Sequence, residues 1–128
     1  MSVKRTIVID GDNVLRYGNR KKVDLNLLLK VIENLTKKGL DLITLVSAKT
    51  RYYVEDSQHF EDLLTQGTII EIPAKTENDL YILEIAKKFQ ARILSNDLFR
   101  EYFNRYPKTV KNRLPFMILR NQLIIPSL

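Results

Sequence analysis

The chain has no cysteine. Disulfides, thiolate chemistry and cysteine-rich zinc sites are therefore excluded. Histidine is nearly absent too, with His59 alone. No stretch approaches the roughly 20 apolar residues of a membrane span. Met1-Ser2-Val3-Lys4-Arg5 runs straight into a strand without an apolar leader region, so a cytoplasmic protein is expected. Acid is missing from the last part of the chain. All 15 Asp and Glu and sixteen of the 21 Lys and Arg lie at or before residue 101, whereas Arg105, Lys108, Lys111, Arg113 and Arg120 follow without a counter-charge. Repeats, linkers and low-complexity segments are absent as well.

What is present suits one domain. At 128 residues there is chain enough for a single core. Thr6-Ile7-Val8-Ile9-Asp10-Gly11-Asp12-Asn13 and Ala91-Arg92-Ile93-Leu94-Ser95-Asn96-Asp97 share one form, a short apolar strand that ends in acid. Apolar runs of this length indicate strands buried on both faces, as in parallel sheets. The pattern predicts strands at 5–10, 41–47, 68–72 and 91–96. It predicts helices at 25–38 behind an Asp24 cap, from Asp56 or Ser57 to about Thr65, at 78–89 and at 98–105. Gly39 and Gly67 stand where two of these helices should stop. Residues 116–125 suggest one or two late strands, with a hairpin about Asn121-Gln122. Alternating strands and helices point to a three-layer α/β/α sandwich with a mostly parallel central sheet.

In such sheets ligands bind beyond the carboxyl ends of the strands. Asp10 and Asp12 follow the first strand, Glu77 and Asp79 enter the third helix, and Asp97 follows the fourth strand. Glu101 lies four residues beyond Asp97, a spacing that puts both on one face of a helix. Carboxylates gathered at one sheet edge repel one another, and a divalent cation is the usual compensation. With oxygen ligands, no cysteine and one histidine, Mg²⁺ or Mn²⁺ is favoured over zinc. Such an ion can polarise a phosphoryl oxygen and activate water. For any single acid the plainer reading is a helix cap, and Asp12 is the strongest candidate for that role. Basic residues flank the acids: Arg16, Arg20, Lys21 and Lys22 after the first cluster, then the basic C-terminal segment. A polyanion held over a metal site accounts for this charge pattern, and a solvated surface accounts for it equally well.

The three segments Val8-Ile9-Asp10-Gly11-Asp12-Asn13-Val14, Asn78-Asp79-Leu80-Tyr81-Ile82-Leu83 and Ile93-Leu94-Ser95-Asn96-Asp97-Leu98-Phe99-Arg100-Glu101 resemble the NYN branch of the PIN-like ribonucleases. The likeness is greatest to the NYN domain of CCCH zinc-finger endoribonucleases and runs in order over nearly the whole chain. It implies a single NYN nuclease domain over residues 1–128. It also implies endoribonuclease activity on single-stranded RNA with Mg²⁺ or Mn²⁺, by water attack on the phosphodiester. Carried over residue by residue, it makes Asp10, Asp79 and Asp97 the metal-site acids, supported by Glu101. Asn13 then orients the first acid or the phosphate. Two positions depart from the family. Asn78-Asp79 replaces a frequent pair of acids, and Asp12 replaces a small polar residue. The chain carries no zinc finger, so targeting falls to the domain itself or to a protein partner. A homodimer is in keeping with PIN-like domains.

On this picture Arg16, Arg51, Lys75 and Arg100 are candidates for phosphate contacts beside the acids, with Lys111 and Arg113 on the basic C-terminal segment. Tyr17, Tyr52 and Tyr53 are candidates for stacking on bases, with partial core packing as the alternative. His59 reads as structural or exposed, and Phe99 and Phe103 as core. Two rival functions share these residues. One is a PIN-like module that binds RNA or a protein without cutting. The other is a haloacid dehalogenase-like phosphatase, in which Asp10 is the nucleophile and Asp12 the acid/base.

Overall fold

The computed structural model describes residues 5–19 and 21–128. Arg20 of the first basic group and the first four residues lie outside them. Four parallel strands form the central sheet: β1 (Thr6–Asp10), β2 (Asp41–Val46), β3 (Ile70–Glu71) and β4 (Arg92–Leu94). Their order is β3-β2-β1-β4. Ile7 pairs with Leu42 on one side and with Arg92 on the other. The chain builds outward from β1 to β3, then returns to place β4 on the opposite side of β1. This reversal opens a crevice between the carboxyl ends of β1 and β4, the usual ligand position in such sheets.

Each helix starts and stops for local reasons. Asp24 caps α2 (Leu25–Lys37) by accepting the Asn26 N–H at 3.0 Å. Asp56 caps α3 (Ser57–Gln66) by accepting the His59 N–H at 3.0 Å. Gly39 and Gly67 follow these two helices with φ of 78° and 76°, a conformation that costs glycine little. The sheet separates two apolar layers. Ile7, Ile9 and Leu94 meet α2 and α3 on one face through Leu28, Leu35 and Phe60. Val8, Leu45 and Ile93 meet α4 (Asn78–Lys88) on the other through Ile82, Leu83 and Ala86. Burying each of the larger of these side chains contributes roughly 1.5–3 kcal/mol against the entropy of ordering the chain. The three-layer sandwich with a parallel sheet is thus as the sequence predicts.

Several boundaries differ from the sequence reading. A short helix, α1 (Gly11–Leu15), follows β1 with no loop between them. β3 is shorter than its apolar run: it pairs in register with β2 at Ile70 and Glu71, and the Ile72 N–H adds one bond to the Val46 carbonyl at 2.8 Å. The helix expected at 98–105 is a 3₁₀ turn over Arg100–Tyr102. Phe99 precedes it in the left-handed region at φ 49° with its ring buried, and Asp97 Oδ1 accepts the Phe99 N–H at 2.9 Å. That local turn displaces the helical start. Phe103 is consequently exposed rather than in the core. A further short helix, α5 (Pro107–Lys111), follows, and an antiparallel hairpin of β5 (Met117–Leu119) and β6 (Gln122–Ile124) ends the fold. The hairpin turns at Arg120-Asn121, both at positive φ.

Candidate functional site

A cleft of about 940 Å³ opens over the crevice between β1 and β4. Asp10, Asp12 and Asn13 enter it from the end of β1, Asp79 from the first turn of α4, and Asn96 and Asp97 from beyond β4. The first and last of these segments reach it because β1 and β4 are neighbours in the sheet. Asp79 reaches it because α4 begins at the same edge, where a helix N-terminus favours negative charge. A smaller cleft adjoins it, lined by Asp79, Asp97, Arg100, Glu101 and Tyr102. Glu101 lines this cleft with Asp79 and Asp97, on a 3₁₀ turn rather than on the helix expected.

Asp10 is buried and accepts the Ser95 hydroxyl at 2.7 Å. Burial, with the charges of Asp12 and Asp79, pushes its pKa up to about 7 against the pull of the Ser95 bond. Asp10 holds the cap position of α1 and lines the cleft, with the Ser95 hydroxyl and the Asn13 backbone N–H favouring its charged form. Asp79 is raised to about 6 by desolvation and by the charges of Asp97, Glu77 and Glu101. Two carboxyls held this far above their ordinary range mark a place where negative charge is crowded and poorly compensated. The donor set is all oxygen, which suits a hard divalent cation. Among the described residues no three acidic or histidine side chains close into a ready-made cage. The arrangement fits an ion that keeps part of its water and shares the rest with a phosphate, the usual habit of Mg²⁺.

The remaining polar residues divide by what they touch. Asn13 Oδ1 accepts the Asn96 N–H at 2.9 Å, so Asn13 stitches the ends of β1 and β4 together. Asp12 accepts the Ser47 N–H at 3.0 Å and the Thr50 hydroxyl, tying the end of β1 to the loop after β2. It is not an α1 cap, and each of its oxygens is engaged by the loop after β2. Glu77 accepts the Tyr102 hydroxyl, which holds that phenol up to about 12. Gly11 allows the start of α1 to lie close against β2. A Cβ there would lie 2.5 Å from the Leu45 carbonyl oxygen and 2.7 Å from Val46 Cγ1.

Of the expected phosphate contacts, the structure brings two to the acids. Arg16 lines the main cleft and Arg100 the smaller one. Arg51 is engaged elsewhere, bonded to Glu71 at 2.8 Å and to Glu61 at 3.0 Å. Arg113 donates to the Ser95 carbonyl at 2.9 Å and so faces the protein. Lys75 sits exposed in the turn before α4 and lines neither cleft, and Lys111 is exposed on α5. Tyr17 lines the main cleft and packs on Phe116 with ring centroids 5.5 Å apart. Tyr52 and Tyr53 are exposed, and the Arg16 guanidinium lies 5.4 Å over the Tyr53 ring. His59 is exposed on α3.

Sequence reasoning missed a basic cleft of about 450 Å³ beside the acids, lined by Arg16, Lys21, Lys49 and Tyr53 together with Asp12, Ser47 and Thr50. Lys49 carried no signal in the sequence, because it reaches the site only through the β1–β2 pairing. The Ser95 bond to Asp10 and the Arg113 bond to the Ser95 carbonyl were missed. The Ser-Asn-Asp run was the available signal for Ser95.

The chain belongs to the family of Zc3h12a-like ribonuclease NYN domains, whose model matches residues 3–127. No curated protein matches it in sequence. Two solved structures of nuclear proteinaceous RNase P 2 from Arabidopsis thaliana share the fold. One superposes with a TM-score of 0.77 at 17% identity, over 95% of this chain and 29% of that one. The other gives 0.74 at 18% identity, over 97% and 30%. The chain thus spans less than a third of the length of those proteins, and at such identity the likeness speaks to fold alone.

Proposed function

We propose that this chain is one metal-dependent endoribonuclease domain that hydrolyses phosphodiester bonds of single-stranded RNA. Family membership supports RNA cleavage as the reaction class. The observation that carries the mechanism is the crowding of Asp10, Asp79, Asp97 and Glu101 about one crevice, with two carboxyls raised to about 7 and about 6. Asp10, Asp79 and Asp97, with Glu101 in support, would share a Mg²⁺ or Mn²⁺ ion with its own water and a substrate phosphate. When bound, such an ion supplies a Lewis acid for the phosphoryl oxygen and lowers the pKa of an attached water.

The rest of the work falls to the protein's own groups. Asp10 would meet an ion as a carboxylate, and the Ser95 hydroxyl holds that carboxyl in place. Asn13 and Asn96 fix the spacing of the two strand ends. Arg16, Lys21 and Lys49 receive backbone phosphates flanking the scissile bond, and Tyr53 offers a face to an unpaired base. Such contacts position a strand without reading sequence, which suits a broad single-strand substrate.

The test is a labelled single-stranded RNA incubated with wild type and Asp97→Asn, in Mn²⁺, Mg²⁺ or chelator. Internal cleavage should require metal and vanish in the variant, with RNA binding nearly intact. Normal cleavage by Asp97→Asn would remove the metal assignment. RNA that is bound but uncut by wild type in every condition would favour the binding module.

A further inference from the structure

The segment after α5 does more than carry positive charge. Leu114 bridges in parallel to Leu94 on the open edge of β4. Its N–H donates to the Ile93 carbonyl at 2.7 Å, and its own carbonyl accepts the Ser95 N–H at 3.1 Å. One residue earlier, Arg113 Nη1 donates to the Ser95 carbonyl at 2.9 Å. The peptide linking Ser95 to Asn96 is therefore held at both poles. Arg113 takes its oxygen, and Asn13 takes its N–H.

Ser95 is fully buried and stands between the two leading acids. Its Oγ donates to Asp10 Oδ2 at 2.7 Å and accepts the Asp97 N–H at 3.0 Å. Rotating either peptide flanking Ser95 would swing its Cα–Cβ bond and pull Oγ off one acid or the other. Asp10 and Asp97 belong to a crowd of like charges, so nothing electrostatic draws them together before a cation binds. A charged donor on the Ser95 carbonyl is a stronger restraint than a neutral one.

We propose that Arg113 is a positioning residue for the reaction. It fixes the Ser95 peptide, and through the Ser95 hydroxyl it sets where Asp10 stands relative to Asp97. This rests on the ribonuclease reading above and replaces the expectation that Arg113 meets RNA phosphate.

The experiment compares wild type with Arg113→Ala, Arg113→Lys, Ser95→Ala and the Arg113→Ala/Ser95→Ala double variant. Two readouts are taken: kcat and KM on a labelled single-stranded RNA with Mn²⁺, per folded molecule, and the rise in Tm that Mn²⁺ causes without RNA. Arg113→Ala should lose about tenfold or more in kcat, since small misplacements of reacting groups are that costly. Its KM and salt dependence should hold, and its Mn²⁺-induced Tm rise should shrink. Arg113→Lys, which keeps a charged donor for one carbonyl, should recover most of both. Ser95→Ala should show the same two losses, and the double variant should be no worse than Ser95→Ala, because both act through one path.

A raised KM with a flattened salt slope and unchanged kcat would make Arg113 a phosphate contact and overturn the proposal. A lower Tm with unchanged kcat and an unchanged Mn²⁺ effect would make it merely structural and also overturn it. Should Arg113→Ala fail to fold, Ser95→Ala decides, and wild-type kcat and Mn²⁺ response there end the proposal. Should wild type cut no RNA, the ribonuclease reading fails separately. The Mn²⁺ effect on Tm then decides the link alone, supporting it if reduced in both single variants and overturning it if unchanged.

Discussion

Asp12 accepts the Ser47 backbone N–H at 3.0 Å, so the second acid of the first cluster is a brace between β1 and the loop after β2. Its other oxygen receives the Thr50 hydroxyl. Asp12→Ala leaves both donors without their acceptor, which should cost about 1–3 kcal/mol. A drop in Tm by thermal melting checks this. Wild type should also leave a small phosphomonoester unhydrolysed. Turnover that disappears in both Asp10→Asn and Asp12→Asn would revive the phosphatase reading.

The raised carboxyls make stability depend on pH in an unusual sense. Asp10 and Asp79 keep protons to about 7 and about 6 in the fold, whereas their ordinary value is 3.8. Between those limits the native state binds more protons than the unfolded one, so stability falls as pH rises. The contribution is present below about pH 4 and gone by about pH 7, on the order of a few kcal/mol for the buried Asp10. Metal-free protein should therefore melt lower at about pH 8 than at about pH 5. Mn²⁺ should recover part of the loss at the higher pH, where the carboxylates are free to bind it. Asp10→Asn should melt higher than wild type at about pH 8 and gain little from Mn²⁺. An acid-side loss of stability in wild type, with Asp10→Asn melting lower, would contradict the placement of Asp10.

The basic cleft makes a separable claim. Lys21 and Lys49 line it beside Arg16, while Arg51 is spent on Glu61 and Glu71. Replacing Lys21 and Lys49 by Ala should weaken RNA binding and lower the salt slope by about 0.7 for each phosphate that is no longer neutralised. Arg51→Ala should leave the slope alone and reduce Tm. Titrations of a fluorescent single-stranded RNA over a range of salt check both. A reduced slope in Arg51→Ala with none in the lysine variant would reverse the two roles.

Gly11 carries a prediction from sterics alone. An alanine methyl at this position meets the Leu45 carbonyl oxygen at 2.5 Å, and backbone cannot yield as a side-chain tip can. Gly11→Ala should lose about 1–3 kcal/mol of stability by the usual cost of overpacking. It should also reduce cleavage per folded molecule, because the displaced backbone carries Asp10. A melting curve and a cleavage assay, read together, test both halves.

Much of the fold and part of the site are legible in the sequence, where the deciding physics is local. Caps at Asp24 and Asp56 and stops at Gly39 and Gly67 satisfy or end a helix within a few residues. Short apolar runs commit β1 and β4 to burial on both faces, and the acids that follow them then come to one sheet edge. That reasoning brings Asp10 and Asp97 to the cleft and the helix entry adds Asp79, whereas Asn13 was marked only by the family resemblance.

What the sequence left open depends on partners far along the chain. The residue pattern at 98–105 reads as a helix, yet a buried Phe99 and the Asp97 turn make it a 3₁₀ turn. Arg51 and Arg113 look alike as free cations until Glu71 and the Ser95 carbonyl come within 3 Å of them. Lys49 joins the site only because β2 lies beside β1. Periodicity and capping fix which residues are buried and where elements begin, since both act over a few residues. The partner of a given charge or hydroxyl is fixed by sheet order and register, which exist only once distant segments have paired.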